Sequence, residues 1–241
     1  MALIVILSVF NGFENLILSL VNQFNPDLKI TPAKGKVFHM DSLPVEEISR
    51  VPGLIHYSQV IEDNALLKYE TQQHIGTIKG VDSTYKIMTP MDSLMLEGSF
   101  RLEEGNMNFG AIGQGVAYYL GIRLNLATPV TIFAPRRDAK PGMINPMSAF
   151  NEERIYPSGV FAVESKIDEK YVIIPIDVAR QLYNYSDQVS ALEIQIDDKA
   201  NSGDVAQRLT EILGPDFIIE NRIEQQKTLY RILRSEKWIT F

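Results

Sequence analysis

The chain has 241 residues, 45% of them hydrophobic and 22% charged, the composition of a globular protein of one or two domains with material for a sizeable core. Its 30 acidic and 23 basic residues leave a net charge of -7, and no basic cluster interrupts the pattern, which argues against nucleic acid as a partner because phosphate contacts need a concentrated positive face. With no cysteine, a disulfide framework, thiolate catalysis and cysteine-held metals are excluded.

The first stretch, MALIVILSVFNGFE (Met1 to Glu14), is apolar but shorter than the roughly 20 residues a bilayer crossing takes. No Lys precedes Lys29, so the charged start of a secretory signal is missing, while Leu3, Ile6, Leu7, Phe10, Phe13 and Ile17 recur at helical spacing. At the other end, Glu236-Lys237 precede Trp238 in ILRSEKWITF, in the manner of an interface anchor opening a membrane span. Together the two ends predict an extramembrane domain held between two transmembrane helices. A helix over residues 1 to about 24 would then expose Leu3, Ile4, Ile6 and Leu7, and a second, Arg222 to Phe241, would lie beside it.

Between these ends, Leu28 to Phe38 alternates as a strand, and Asp41-Ser42-Leu43-Pro44 followed by Glu46 and Glu47 starts a helix that stops before Pro52-Gly53. Ile55 to Ile61, a turn at Glu62-Asp63-Asn64, and Leu66 to Val81 predict a hairpin. Strands follow at Val130 to Ala134, Gly159 to Val163 and Tyr171 to Pro175, with a helix over Val178 to Leu182. Pro135 to Pro157, rich in Pro, Gly, Met and Asn, has little periodicity and predicts a long irregular loop or hairpin of the kind that carries function. Gln188 to Ile196 alternates, Ser202 to Leu213 places Val205, Leu209 and Leu213 at helical spacing, and Phe217 to Glu220 is a short strand. Two strand, helix, strand units near the two ends predict one α+β subdomain built from both, with residues 84–187 inserted between them.

No constellation for catalysis is found. His39, His56 and His74 lack metal-ligand spacing, no nucleophile elbow occurs, and the acidic pairs Glu103-Glu104 and Asp197-Asp198 read as solvated faces. Gly110, Gly113 and Gly115 match neither a phosphate loop nor a dinucleotide fingerprint and predict a tight strand-to-helix turn, where glycine permits positive φ and close packing. No catalytic, cofactor or metal residue is therefore assigned.

Several stretches resemble one family: Leu7-Ser8-Val9-Phe10-Asn11-Gly12-Phe13-Glu14, Ile78-Lys79-Gly80-Val81-Asp82, Ile112-Gly113-Gln114-Gly115-Val116-Ala117-Tyr118-Tyr119-Leu120-Gly121-Ile122, Val130 to Pro135, Gly159-Val160-Phe161 and Glu236-Lys237. In order and across nearly the whole chain they are similar to the permease subunits of lipoprotein-releasing ABC transporters, the LolC and LolE type, which group with the MacB and FtsX permeases. The resemblance implies an α+β, MacB-like periplasmic core. Residues 1–27 would be the end of transmembrane helix 1 and its stalk, 28–83 with 188–221 a discontinuous α+β (Porter-like) subdomain, 84–187 an inserted, mostly β (Sabre-like) subdomain, and 222–241 a stalk and the start of transmembrane helix 2.

The resemblance further implies a non-catalytic subunit of the bacterial inner membrane, without cofactor, whose domain in the periplasm extracts lipoproteins and hands them to a LolA-like carrier. The stroke would come from a cytoplasmic ATPase subunit through a paired second permease. Lys140 to Phe161 stands where LolC-type permeases carry a carrier-gripping hairpin, with Ser148-Ala149 where the pattern has glycine. Pro146-Met147 and a downstream basic residue, Arg154, follow that pattern, while Met143, Ile144, Met147 and Phe150 are adaptable apolar groups suited to an apolar groove. A MacB-like efflux or FtsX-like signalling permease, and an unrelated soluble enzyme with a cleft of converging ionisable groups, are the alternative readings.

Overall fold

A computed structural model describes residues 23–125, 127–136, 149–225 and 227. The helix expected over the first residues, with Leu3, Ile4, Ile6 and Leu7, lies outside the described residues, as does the expected helix beyond 227. In chain order the strands are β1 (Leu28–Pro32), β2 (Phe38–His39), β3 (Leu54–Tyr69), β4 (Gln72–Val81), β5 (Met95–Gly98), β6 (Glu103–Glu104), β7 (Met107–Gly113), β8 (Val130–Pro135), β9 (Phe150–Phe161), β10 (Tyr171–Pro175), β11 (Gln188–Val189), β12 (Ala191–Ile196) and β13 (Phe217–Asn221). The helices are α1 (Val45–Ser49), α2 (Tyr85–Met88), α3 (Met91–Leu94), α4 (Gln114–Leu120), α5 (Ser165–Asp168), α6 (Ile176–Tyr183) and α7 (Ser202–Leu213). The architecture is mixed α+β, and the chain divides into two compact units.

One unit takes Asn25–Gln59, Ser83–Met88 and the residues from Asp187 onward. Its strands run β13-β1-β12, followed by the Leu54–Gln59 part of β3. β1 sits between two antiparallel partners, with Ile30 opposite both Leu192 and Ile219, so segments far apart in sequence are joined by one ladder. α7 forms because Asn201 accepts the Gly203 N–H at 2.8 Å as its N-cap and because Val205, Leu209 and Leu213 fall on one buried stripe. The ends of β1 and β13 are tied together. Asp27 accepts the Ile196 N–H at 2.9 Å and pairs with Arg222 at 3.1 Å, and the Gln225 amide donates to the Pro26 and Glu220 carbonyls.

The other unit takes Val60–Asp82 and Thr89–Ser186, together with Phe24. Its pairings form a closed circuit, β3-β4-β10-β7-β9-β8 and back to β3. β10 is apolar throughout Val172, Ile173 and Ile174 and is buried, as a strand paired on both edges and running parallel to β4 should be. Ile61, Leu67, Ile78, Ile112, Ile132, Ile155 and Phe161 complete its core. α6 crosses β4 at Gly80, where a Cβ would strike Ala179.

Two expectations are corrected. Glu62-Asp63-Asn64 is no turn: β3 is one 16-residue strand, and these polar residues face Lys79, Ile78 and Thr77 across the ladder. Their signal misled because two of the three have a cross-strand use, Glu62 toward the buried Lys79 ammonium (3.8 Å) and Asn64 accepting from the Thr77 hydroxyl (3.1 Å), while Asp63 accepts the Asn64 N–H at 2.9 Å. In the structure β3 runs through both units, and Val60–Asp82 packs with the residues that follow Thr89. Lastly, Leu28 to Phe38 is two strands, parted at Gly35, whose φ of 84° no β-strand residue adopts.

Gly80→Ala is expected to lower stability by about 1–3 kcal/mol through overpacking against α6. Gly105→Asn, at a turn with open space around it and a φ of 60° that asparagine tolerates, should cost less than about 1 kcal/mol. Urea unfolding of the two variants against the parent checks the difference.

Candidate partner-binding hairpin

β8 and β9 are the arms of a hairpin. The register runs from Val130 opposite Ile155 to Pro135 opposite Phe150, and the Arg136 N–H extends it by donating to the Ala149 carbonyl at 2.8 Å. Alternation decides the two faces. Val130, Ile132, Ala134 and Ile155 are buried, whereas Phe150 (40% exposed), Glu152 and Arg154 form the outward row of β9, opposite Pro135, Phe133 and Thr131. The Asn151 amide donates to the Leu182 carbonyl at 2.8 Å and fixes the β9 arm to the end of α6.

Of the residues singled out in the sequence, Phe150 and Arg154 are thus brought to one face. They stand on a regular strand, the hairpin form of the loop or hairpin expected over Pro135 to Pro157. Met143, Ile144, Pro146 and Met147 lie outside the described residues. Arg154 forks onto Glu152 Oε1 through Nε (3.1 Å) and Nη2 (2.9 Å), an exposed pair that orients the guanidinium while contributing at most about 1 kcal/mol. On the inward row, burial and then the neighbouring Glu152 raise the Glu153 carboxyl above the ordinary glutamate range.

β9 was only half legible because Pro157 and the polar run Asn151 to Arg154 carry no strand periodicity and left loop and hairpin both open. Pro157 is accommodated where the β7 pairing shifts register between Gly110 and Ala111, and the Ser158 hydroxyl donates to the Gly110 carbonyl at 3.2 Å. The glycines of β7 and α4 serve approach rather than turning: neither Gly113 nor Gly115 has positive φ, but a Cβ on either would strike the Asp168-Glu169 backbone. The histidines do not converge. His39 Nδ1 lies 2.7 Å from Asp187, while His74 Nε2 donates to the Glu169 carbonyl at 2.8 Å. Among the described residues no group of three acidic or histidine side chains could hold a metal ion, and no helix is long and apolar enough to cross a membrane.

No family model matches the chain. Among solved structures, the periplasmic region of MacB from Actinobacillus actinomycetemcomitans superposes with a TM-score of 0.55 at 15% identity, covering 87% of this chain and 96% of that one. The chain has the fold of the MacB periplasmic region. The extracellular domain of the noncanonic ABC-type transporter YknZ from Gram-positive bacteria shares it, with a TM-score of 0.53 at 14% identity over 80% of this chain and 99% of that one. At these identities the likeness is one of fold.

One buried acid in this MacB-like fold titrates unusually. Burial raises the Asp168 carboxyl to about 6, against a smaller opposing effect of the Val163 N–H that it accepts at 2.8 Å. The folded state therefore binds this proton more tightly than the unfolded chain, whose aspartate titrates near the ordinary value of 3.8. Stability should fall as pH rises between these two values. Asp168→Asn, which keeps an acceptor for Val163, is expected to flatten that part of a thermal-melting profile measured from pH 4 to pH 7.

Proposed function

We propose that this chain is the periplasmic domain of an inner-membrane ABC transporter permease that releases lipoproteins and delivers them to a LolA-like periplasmic carrier. The observation that carries the reading is the β8–β9 hairpin within a MacB-like fold: a rigid, α6-anchored base presenting Phe150 and Arg154 on one outward row, at the place where the sequence resembles a carrier-gripping segment. Beyond that base in sequence, Met143, Ile144, Pro146 and Met147 supply apolar groups able to fill an irregular partner groove.

In this reading the domain performs no bond chemistry. A cytoplasmic ATPase subunit hydrolyses ATP, a second permease completes the transporter, and the periplasmic domains move as rigid bodies between states. Residues 1–27 and 222–241 would be the stalks and membrane helices. The tie of Asp27 to Arg222 and of Pro26 to Gln225 supports their leaving from one end of a common sheet, as two strokes delivered together would require. The unit holding β1, β12 and β13 would be the Porter-like subdomain, and the closed circuit of strands the Sabre-like one.

The shared fold with MacB favours a second reading, an efflux permease on the same scaffold. Carrier binding discriminates the two. Isothermal titration of the domain with the cognate lipoprotein carrier should give a saturable complex. Met147→Asp or Phe150→Asp should weaken it at least tenfold, the cost of losing about 1.4 kcal/mol at an apolar anchor. Because Phe150 sits in an exposed row, the melting temperature should move by no more than about 2 °C. Absence of binding, or unchanged affinity in both variants, rules against lipoprotein delivery through this hairpin.

A further inference from the structure

A second surface of the same unit shares no residue with the hairpin. Tyr118 and Tyr119 end α4 with their rings outward, 83% and 51% exposed, at 5.9 Å and 72° to one another. His74 from β4 lies flat on Tyr119 at 5.1 Å and 11°, and its Nε2–H is held by the Glu169 carbonyl. The rings therefore stand on a braced platform, further fixed because Gly115 lets α4 press against Glu169. Beside them is a depression lined by Gln114, Tyr118, Tyr119, Ser165, Asp168 and Glu169, whose charged members are both carboxylates.

Exposed aromatic faces carry negative quadrupole charge and attract a cation lying over them. Carboxylates in the same concavity act with the same sign, and a planar guanidinium can meet a ring face and a carboxylate together, which an ammonium does less well. We infer that the Tyr118-Tyr119-Glu169 depression is a docking site for an arginine side chain on an extended segment of a partner protein. Tyr118 offers its face, Glu169 accepts from the guanidinium edge, and His74 acts only by holding Tyr119. The site is independent of the hairpin, so it stands or falls apart from the proposed carrier interaction.

The test uses the 241-residue chain with tyrosine and histidine rings labelled for NMR. It is titrated with acetyl-Ala-Arg-Ala-amide and with the same peptide carrying neutral citrulline. Saturable shifts at Tyr118, Tyr119 and His74 are expected with the arginine peptide alone. Tyr118→Ala and Glu169→Gln should each weaken its binding about two- to fivefold, the range of an exposed cation–π contact, with unchanged melting temperatures. An equal response to citrulline, shifts spread over the acidic surface, no saturation, or full affinity in Tyr118→Ala would overturn the assignment. So would self-association in sedimentation that Tyr118→Ala abolishes, since the patch would then belong to a second copy of the chain.

Discussion

Strand β9 holds three neighbours in place, and the larger unit depends on it. Phe150 to Ile155 pair with β8, Tyr156 to Phe161 with β7, and Gly159 to Phe161 with β5. Without the first pairing the circuit of six strands would open and leave ladder groups of β8 unmatched, at a cost for each buried group of about 1–3 kcal/mol. The same continuous strand carries Phe150 at one end and, at the other, Phe161 in the core, stacked on Phe24 at 6.0 Å. The outward row of the hairpin is therefore an extension of the core ladder, which gives an exposed surface a fixed geometry.

Burial of charge follows the same logic. Lys79 is 2% exposed, yet its ammonium lies 3.8 Å from Glu62 and 4.8 Å from the Phe24 ring centre. A lone ammonium at that depth would be prohibitive, whereas a paired one is tolerated and disfavours alternative registers of β3 on β4. In the other unit β1 has the corresponding role: its two antiparallel partners come from the far end of the sequence, and Asp27 and Gln225 fasten the residues that flank them. Under the proposed function, force arriving along either flanking segment would reach the sheet at one place.

The sequence was most informative where local chemistry and burial agree. α7 matched its expected bounds because the Asn201 cap, the Val205-Leu209-Leu213 stripe and Gly214 all mark the same helix, and β10 matched because an uninterrupted apolar run has few other uses. Reading failed where polar residues are satisfied across a sheet. Glu62, Asp63 and Asn64 looked like a turn because their partners lie on β4, and the true turn after Tyr69 carries Glu70 at a φ of 50°, with neither glycine nor asparagine to signal it. At the hairpin the composition marked the segment as unusual, and Phe150 and Arg154 were both singled out. Their common face could not be seen without the register that makes β9 a strand. Tyr118 and Tyr119 were noticed only as part of a family-like run, since nothing in a sequence distinguishes an exposed tyrosine pair from a buried one.

The central claim, that the hairpin meets a lipoprotein carrier, is tested most directly by photo-crosslinking in cells. A benzoylphenylalanine placed at Met147 or Phe150 of the protein as the cell makes it, and at exposed Gln207 on α7 as the control, reports what each position touches. Adducts between the carrier and positions 147 and 150, with none from 207, are the expected result. Carrier adducts at all three positions, or hairpin adducts that contain an efflux partner in place of the carrier, would contradict it.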